Sequence, residues 1–141
     1  MQIELHRLKA NHLYTEGQIL INDLVTIPYT VEHTFSMLPI GEYRLHLTKD
    51  KKRRRIIGIY PVKEEEHKSY FEAGHSYLSS KEHDTIIIGE MLIPGSVWKG
   101  RAHYDRLFDR IEKCEQRKEP ITFVISDEDC KESKPVSIWL Q

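Results

Sequence analysis

The chain has 141 residues, enough for one domain, and its 39% apolar and 30% charged residues mark a globular composition and not a disordered one. Its 21 Lys and Arg stand against 22 Asp and Glu, so a net charge of -1 excludes nucleic-acid binding by bulk charge and leaves only a local basic patch. Two cysteines, Cys114 and Cys130, are too few for a disulfide framework or for a four-ligand zinc site of their own.

Charges interrupt every early apolar stretch after Met1, and no run approaches the roughly 18 apolar residues of a membrane span. The expected location is cytoplasmic, with no membrane partner. In the first segment Ile3 and Leu5 alternate with Glu4 and His6, the period of a strand. A second strand is predicted from Gly17 to Ile21, and Asn22-Asp23 turns the chain. From Leu24, the residues Val25, Ile27, Tyr29 and Val31 share one face, while Thr26, Pro28, Thr30 and Glu32 share the other. Pro28 cannot donate to a ladder, so this strand is expected at an edge or with a bulge.

Pro39-Ile40-Gly41 makes the next turn, and Tyr43, Leu45 and Leu47 then alternate with Arg44, His46 and Thr48. A further strand runs from Arg54 to Tyr60 and ends at Pro61. Between the two lie Lys49, Lys51, Lys52, Arg53, Arg54 and Arg55, with Asp50 among them. The expectation is a solvated hairpin tip whose charge is answered by Glu64, Glu65 and Glu66. The alternative is a phosphate or nucleic-acid contact, which the lack of interleaved aromatic residues weakens.

From His67 to Asp84 the periodicity is weak and the composition polar, which reads as a long loop. Thr85 to Gly89 is a short apolar strand, and Leu92, Ile93 and Pro94-Gly95 make another short strand and a turn. From Arg101 to Arg117 the residues Tyr104, Leu107, Phe108, Ile111 and Cys114 form one helical stripe. Asp109 and Lys113 lie four apart in the favourable order, and Pro120 stops the helix. Ile121 to Ile125 forms a last core strand. The tail 127–141, with Val136, Ile138 and Leu140, either adds an edge strand or stays loose. The sum is a single α+β domain over 1–126: a mainly antiparallel sheet, or a partly closed barrel, covered by one long C-terminal helix.

The eight histidines do not show metal-ligand spacing. His67, His75 and His83 with nearby acidic residues could assemble zinc only by folding of a hydrophilic loop, so no metal site is assigned. The dispersed glycines make neither a P-loop nor a dinucleotide fingerprint, and no cofactor is implied. Cys114 falls on the apolar stripe, where a thiol behaves as a small hydrophobe, and Cys130 sits in an acidic tail that blunts a thiol. Both are expected to stay reduced. Glu32 and His33 are an adjacent acid and base, but neighbours on a strand point to opposite faces. Glu32 is therefore kept as a pocket candidate by itself.

Five short elements in order resemble a small family of bacterial and phage domains, often met in prophages and mobile elements. They are Glu16-Gly17-Gln18-Ile19-Leu20-Ile21, Thr30-Val31-Glu32, Pro39-Ile40-Gly41-Glu42-Tyr43, His103-Tyr104-Asp105-Arg106-Leu107-Phe108 and Glu119-Pro120-Ile121-Thr122. The resemblance spans residues 2 to 126. It implies a pocket formed by an H-x-G-N element and a G-C-I-x-x-G element, whose histidine and cysteine are similar to those of cell-wall L,D-transpeptidases. Here the first element is Glu72-Ala73-Gly74-His75 and the second is Asp84-Thr85-Ile86-Ile87-Ile88-Gly89. The glycines match, while Glu72 replaces the histidine and Thr85 the cysteine.

The resulting expectation is a non-catalytic accessory or binding domain, with Glu32, Glu72, His75 and Thr85 marking its pocket and a protein or cell-wall fragment as partner. A degenerate hydrolase or transpeptidase-like enzyme would need Thr85 as nucleophile, with His75 or His83 as base beside Glu72. Weak nucleic-acid binding through residues 49–55 is the third reading.

Overall fold

The computed structural model describes residues 1–78 and 84–127. Nine strands and one helix follow in chain order: β1 (Gln2–Ala10), β2 (Tyr14–Ile21), β3 (Leu24–His33), β4 (Gly41–Lys49), β5 (Arg55–Pro61), β6 (Ser69–Glu72), β7 (Ile86–Ile93), β8 (Ser96–Trp98), α1 (Gly100–Gln116) and β9 (Thr122–Ser126). The strand order is β3-β2-β1-β9-β4-β5-β6-β7-β8, and β7 also pairs with β3. That pairing, Tyr29 opposite Gly89 and Val31 opposite Ile87, closes eight strands into a barrel. The β1–β9 and β6–β7 pairs are parallel.

The expected architecture, a sheet or partly closed barrel covered by one long C-terminal helix, is corrected on both counts. The described residues are mostly β, 52% strand, and they form a closed eight-stranded barrel, so no open sheet remains for a helix to cover. Closure removes the edges that an open sheet would expose. The single helix among the described residues has 17 residues, and its apolar stripe packs into one mouth of the barrel. Grooves along its flanks are lined by Met1, Asn22, Ile27, Lys49 and Arg55, which belong to strand ends and a turn at one rim of the barrel. Its predicted stripe is present: Tyr104, Leu107 and Ile111 join the same apolar cluster as Ile3, Leu5, Ile57 and Phe123 inside the barrel.

Pro28 marks a bulge and not an edge, because β3 has neighbours on both sides. The β2–β3 register slips between Gly17 opposite Thr30 and Ile19 opposite Ile27. An extra residue reverses the inside-outside parity of everything after it. Ile27 thus faces the barrel interior, whereas Tyr29 and Val31 face out and pack with Ile87 and Val97 in a second cluster. The single face expected for Val25, Ile27, Tyr29 and Val31 is split at that point, and a second slip, between Ile19 opposite Ile27 and Leu20 opposite Val25, sets exposed Val25 apart from Ile27. Glu32 is turned inward by the same slip.

Inside the barrel, at the mouth away from α1, Glu32 meets Arg7, and Arg7 Nη2 also donates to the Leu38 carbonyl at 2.7 Å. The Tyr43 hydroxyl donates to the Pro39 carbonyl at 2.6 Å. These bonds hold the connection between β3 and β4 over the second mouth.

The stretch from His67 to Asp84, expected to be a loop, contains β6. The strand begun at Ile86 continues without a break to Ile93, and Pro94-Gly95 turns it into β8, which the sequence pattern does not signal. Gly89 is required here by close approach: a Cβ on it would lie 2.4 Å from Val97 Cγ1 and 2.7 Å from the Trp98 carbonyl oxygen.

Candidate functional site

A parallel pair of short strands places the first two candidate residues. Phe71 lies opposite Ile86 and Glu72 opposite Ile87. Alternation sends Phe71 and Ile86 into the core and leaves Glu72 and Thr85 on the other face. There the Thr85 hydroxyl donates to Glu72 Oε1 at 3.1 Å. The positions that the resemblance marks as histidine and cysteine are therefore neighbours. Thr85 is only 2% exposed, so its hydroxyl lies beneath the surface.

His75 lies on the loop after β6 with its side chain exposed, and its carbonyl accepts from the Val97 N–H at 2.6 Å. His83 lies outside the described residues, as do Cys130 and the tail from 128 onward. Glu32 stands apart from Glu72 and Thr85: it is 1% exposed inside the barrel and bonded to Arg7. Its carboxyl is pushed up by burial, and Arg7 opposes that rise.

Glu72 also borders an open groove between the first half of α1 and strands β5 and β6. Arg54, Arg55, Tyr70, Arg101 and Tyr104 are its other charged and aromatic rim residues, with Ile56, Phe71 and Ala73 beneath, around a cavity of about 440 Å³. Two readings that the sequence keeps apart, the Glu72 pocket and the basic run, thus share one site. The run does form the predicted β4–β5 hairpin tip. Asp50 organises it: Oδ1 accepts from the N–H groups of Lys52 at 2.9 Å and Arg54 at 2.8 Å, and Oδ2 accepts from Arg54 Nε at 2.8 Å. The Arg54 backbone N–H is the chief reason that the Asp50 carboxyl is held below its usual range.

The charge of the tip is not answered by the Glu64–Glu66 run as expected. Arg54 pairs with Asp50 and Arg55 with Glu112, each at 2.8 Å, while Glu64 pairs with Lys68 at 3.4 Å. Turn geometry and the approach of α1 put Asp50 and Glu112 nearer than a charge run on the next connection. Arg55 also lies over the Phe108 ring, 4.8 Å from its centroid, and Arg101 lies 5.3 Å from that of Tyr104. Burial raises the Tyr104 hydroxyl pKa, so this phenol stays protonated in the ordinary pH range.

Arg101, Tyr70 and Tyr104 are the groove residues that the sequence reading misses. Arg101 and Tyr104 are three apart on the helix, a spacing that puts them on one face. Tyr70 carries no comparable signal, since β6 itself is not visible in the pattern. Elsewhere, His103 is buried on α1, and its Nε2 lies 2.9 Å from Glu90 Oε2. Cys114 is buried on α1 with its thiol 3.8 Å from Glu119 Oε2.

Among the described residues no three His, Cys, Asp or Glu side chains converge on a metal position, and no helix is long and apolar enough to cross a membrane. Comparison of the chain with family models, with curated proteins and with solved structures gives no match.

Proposed function

We propose that this chain is a non-catalytic binding domain that receives its ligand in the groove between α1 and β5–β6. The observation that carries this reading is the state of Thr85. A threonine hydroxyl acts as a nucleophile only if a base takes its proton and an electrophile can reach its oxygen. Thr85 is 2% exposed and tied to Glu72, so a carbonyl has no approach. The adjoining groove is open, and its arginines offer planar, permanently charged donors. An accessory role in a bacterium or on a mobile element is what the sequence resemblance adds.

The test is turnover. The protein is incubated with peptidoglycan fragments and with small esters beside Thr85→Ala. The expected result is no turnover by either. Turnover by the parent that disappears in a folded Thr85→Ala variant overturns the binding reading.

A further inference from the structure

We infer that the groove between α1 and β5–β6 binds single-stranded nucleic acid, with Arg54, Arg55 and Arg101 on the phosphates. The inference rests on the groove being a binding site and names the class of its ligand. Three observations support it.

The first is donor capacity. Among the described residues each guanidinium makes one side-chain hydrogen bond: Arg54 through Nε, Arg55 through Nη2 and Arg101 through Nη1. The remaining nitrogens of each fork are left for a ligand, and a fork matches the oxygens of a phosphate. The second is the lability of the present partners. The Arg101–Asp105 contact is 3.4 Å long, with side chains 72% and 64% exposed, and Arg55 is 55% exposed. Exposed pairs of this kind contribute little, so a phosphate can replace them at small cost.

The third is flat surface. The Arg55 guanidinium lies over the Phe108 ring and that of Arg101 over the buried Tyr104 ring, so the groove presents two ring-backed guanidinium groups beside the half-buried Tyr70 ring. Unpaired bases stack on aromatic rings and on guanidinium planes. The aromatic surface absent from the basic run in sequence is thus supplied by Tyr70 of β6, while the α1 rings back the guanidinium groups. An acidic peptide would use the charge but has no need of these faces, which is why a nucleic acid is favoured.

The test is the salt dependence of binding to a labelled short oligo(dT), read by fluorescence anisotropy. Three phosphate contacts predict a slope of log K against log salt of about -2, hence roughly a 20-fold loss between about 50 and 200 mM salt. Arg101→Ala should reduce the magnitude of that slope by about 0.7. Arg101→Lys should keep the slope while weakening binding, because the charge remains and the planar face is lost. Lys113→Ala, a charge-matched change on the opposite flank of α1, should do neither.

Circular dichroism confirms that each variant is folded. No binding at low salt overturns the proposal, as does binding that Arg101→Ala and Arg55→Ala leave unchanged. Equal competition by a poly-glutamate peptide at matched charge also overturns it, in favour of an acidic protein segment. None of these outcomes touches the non-catalytic reading, which falls only if Thr85-dependent turnover is found.

Discussion

Arg7 and Glu32 face each other inside the barrel in a two-pronged pair, with Nε 3.0 Å from Oε2 and Nη2 2.7 Å from Oε1. Both side chains are almost wholly withdrawn from water, at 3% and 1% exposure. Desolvating two charges offsets much of their attraction, so the pair is a weak source of net stability but a strong constraint. It ties β1 to β3 and, through the Leu38 carbonyl, holds the β3–β4 connection.

Removing one partner strands the other. Glu32→Ala is expected to cost about 3 to 5 kcal/mol, since Arg7 is left charged and buried. The paired change Arg7→Met with Glu32→Leu should recover most of that loss, because apolar groups of similar volume suit the interior. Urea denaturation of the parent, the single and the double variant checks this. A single variant as stable as the parent would show that water already reaches Arg7.

The helix stripe gives a second expectation. Leu107 is 2% exposed and lies in the main core cluster, where α1 stops one mouth of the barrel. Leu107→Ala should cost about 2 to 5 kcal/mol through lost transfer energy and a residual cavity. A melting temperature within a degree of the parent would contradict the placement of this stripe inside the barrel.

Local pattern accounts well for the elements and poorly for their closure. The alternation of Ile3 and Leu5 and the spacing of Tyr104, Leu107 and Ile111 each report a buried face, and those faces meet in one core. Barrel closure depends on β3 pairing with β7, a contact between segments more than fifty residues apart that leaves no local trace. Pro28 does signal an irregularity, yet a bulge and an edge look alike in sequence, and only the slip in the β2–β3 register separates them. Arg7 shares the parity of Ile3 and Leu5 and is legible as inward, whereas its partner Glu32 is turned inward only by the register slip in β3. The groove was legible in pieces: Arg54 and Arg55 from the charge run, and Glu72 from the resemblance. Arg101 and Tyr70 join them only through tertiary packing.

Gly89 provides a third test, this time of the seam between β7 and β8. A methyl group there would lie 2.4 Å from Val97 Cγ1 and 2.7 Å from a backbone oxygen, closer than van der Waals contact permits. Gly89→Ala should therefore push β8 outward and cost about 1 to 3 kcal/mol, the range of an overpacked site. Hydrogen exchange at the Val97 amide, which is bonded to the His75 carbonyl at 2.6 Å, should accelerate in the variant. Unchanged exchange and unchanged stability would mean that the strand shifts without loss.

The hairpin tip makes a prediction in pH. The Asp50 carboxyl is held below 3.8 chiefly by the Arg54 backbone N–H; burial opposes this, while the Arg54 side chain and the Lys52 N–H add to it. A carboxylate whose folded value lies below its unfolded one adds stability that is present above the unfolded value. That contribution is lost as pH falls through the folded value, so the tip should loosen only in acid below 3.8. Carbon-13 NMR titration of Asp50 should show a midpoint under 3.8 in the parent. Arg54→Ala removes the ion pair but keeps the backbone donor, so the midpoint should rise only part of the way back. Added salt should likewise move it little, because a short hydrogen bond is screened much less than separated surface charges. A midpoint restored fully by Arg54→Ala would make the guanidinium, and not the turn, the group that holds Asp50 ionised. In that case a phosphate that drew Arg54 away would also release the turn, and Asp50 would titrate higher when oligo(dT) is bound; with the backbone donor dominant, most of its depression should persist in the complex.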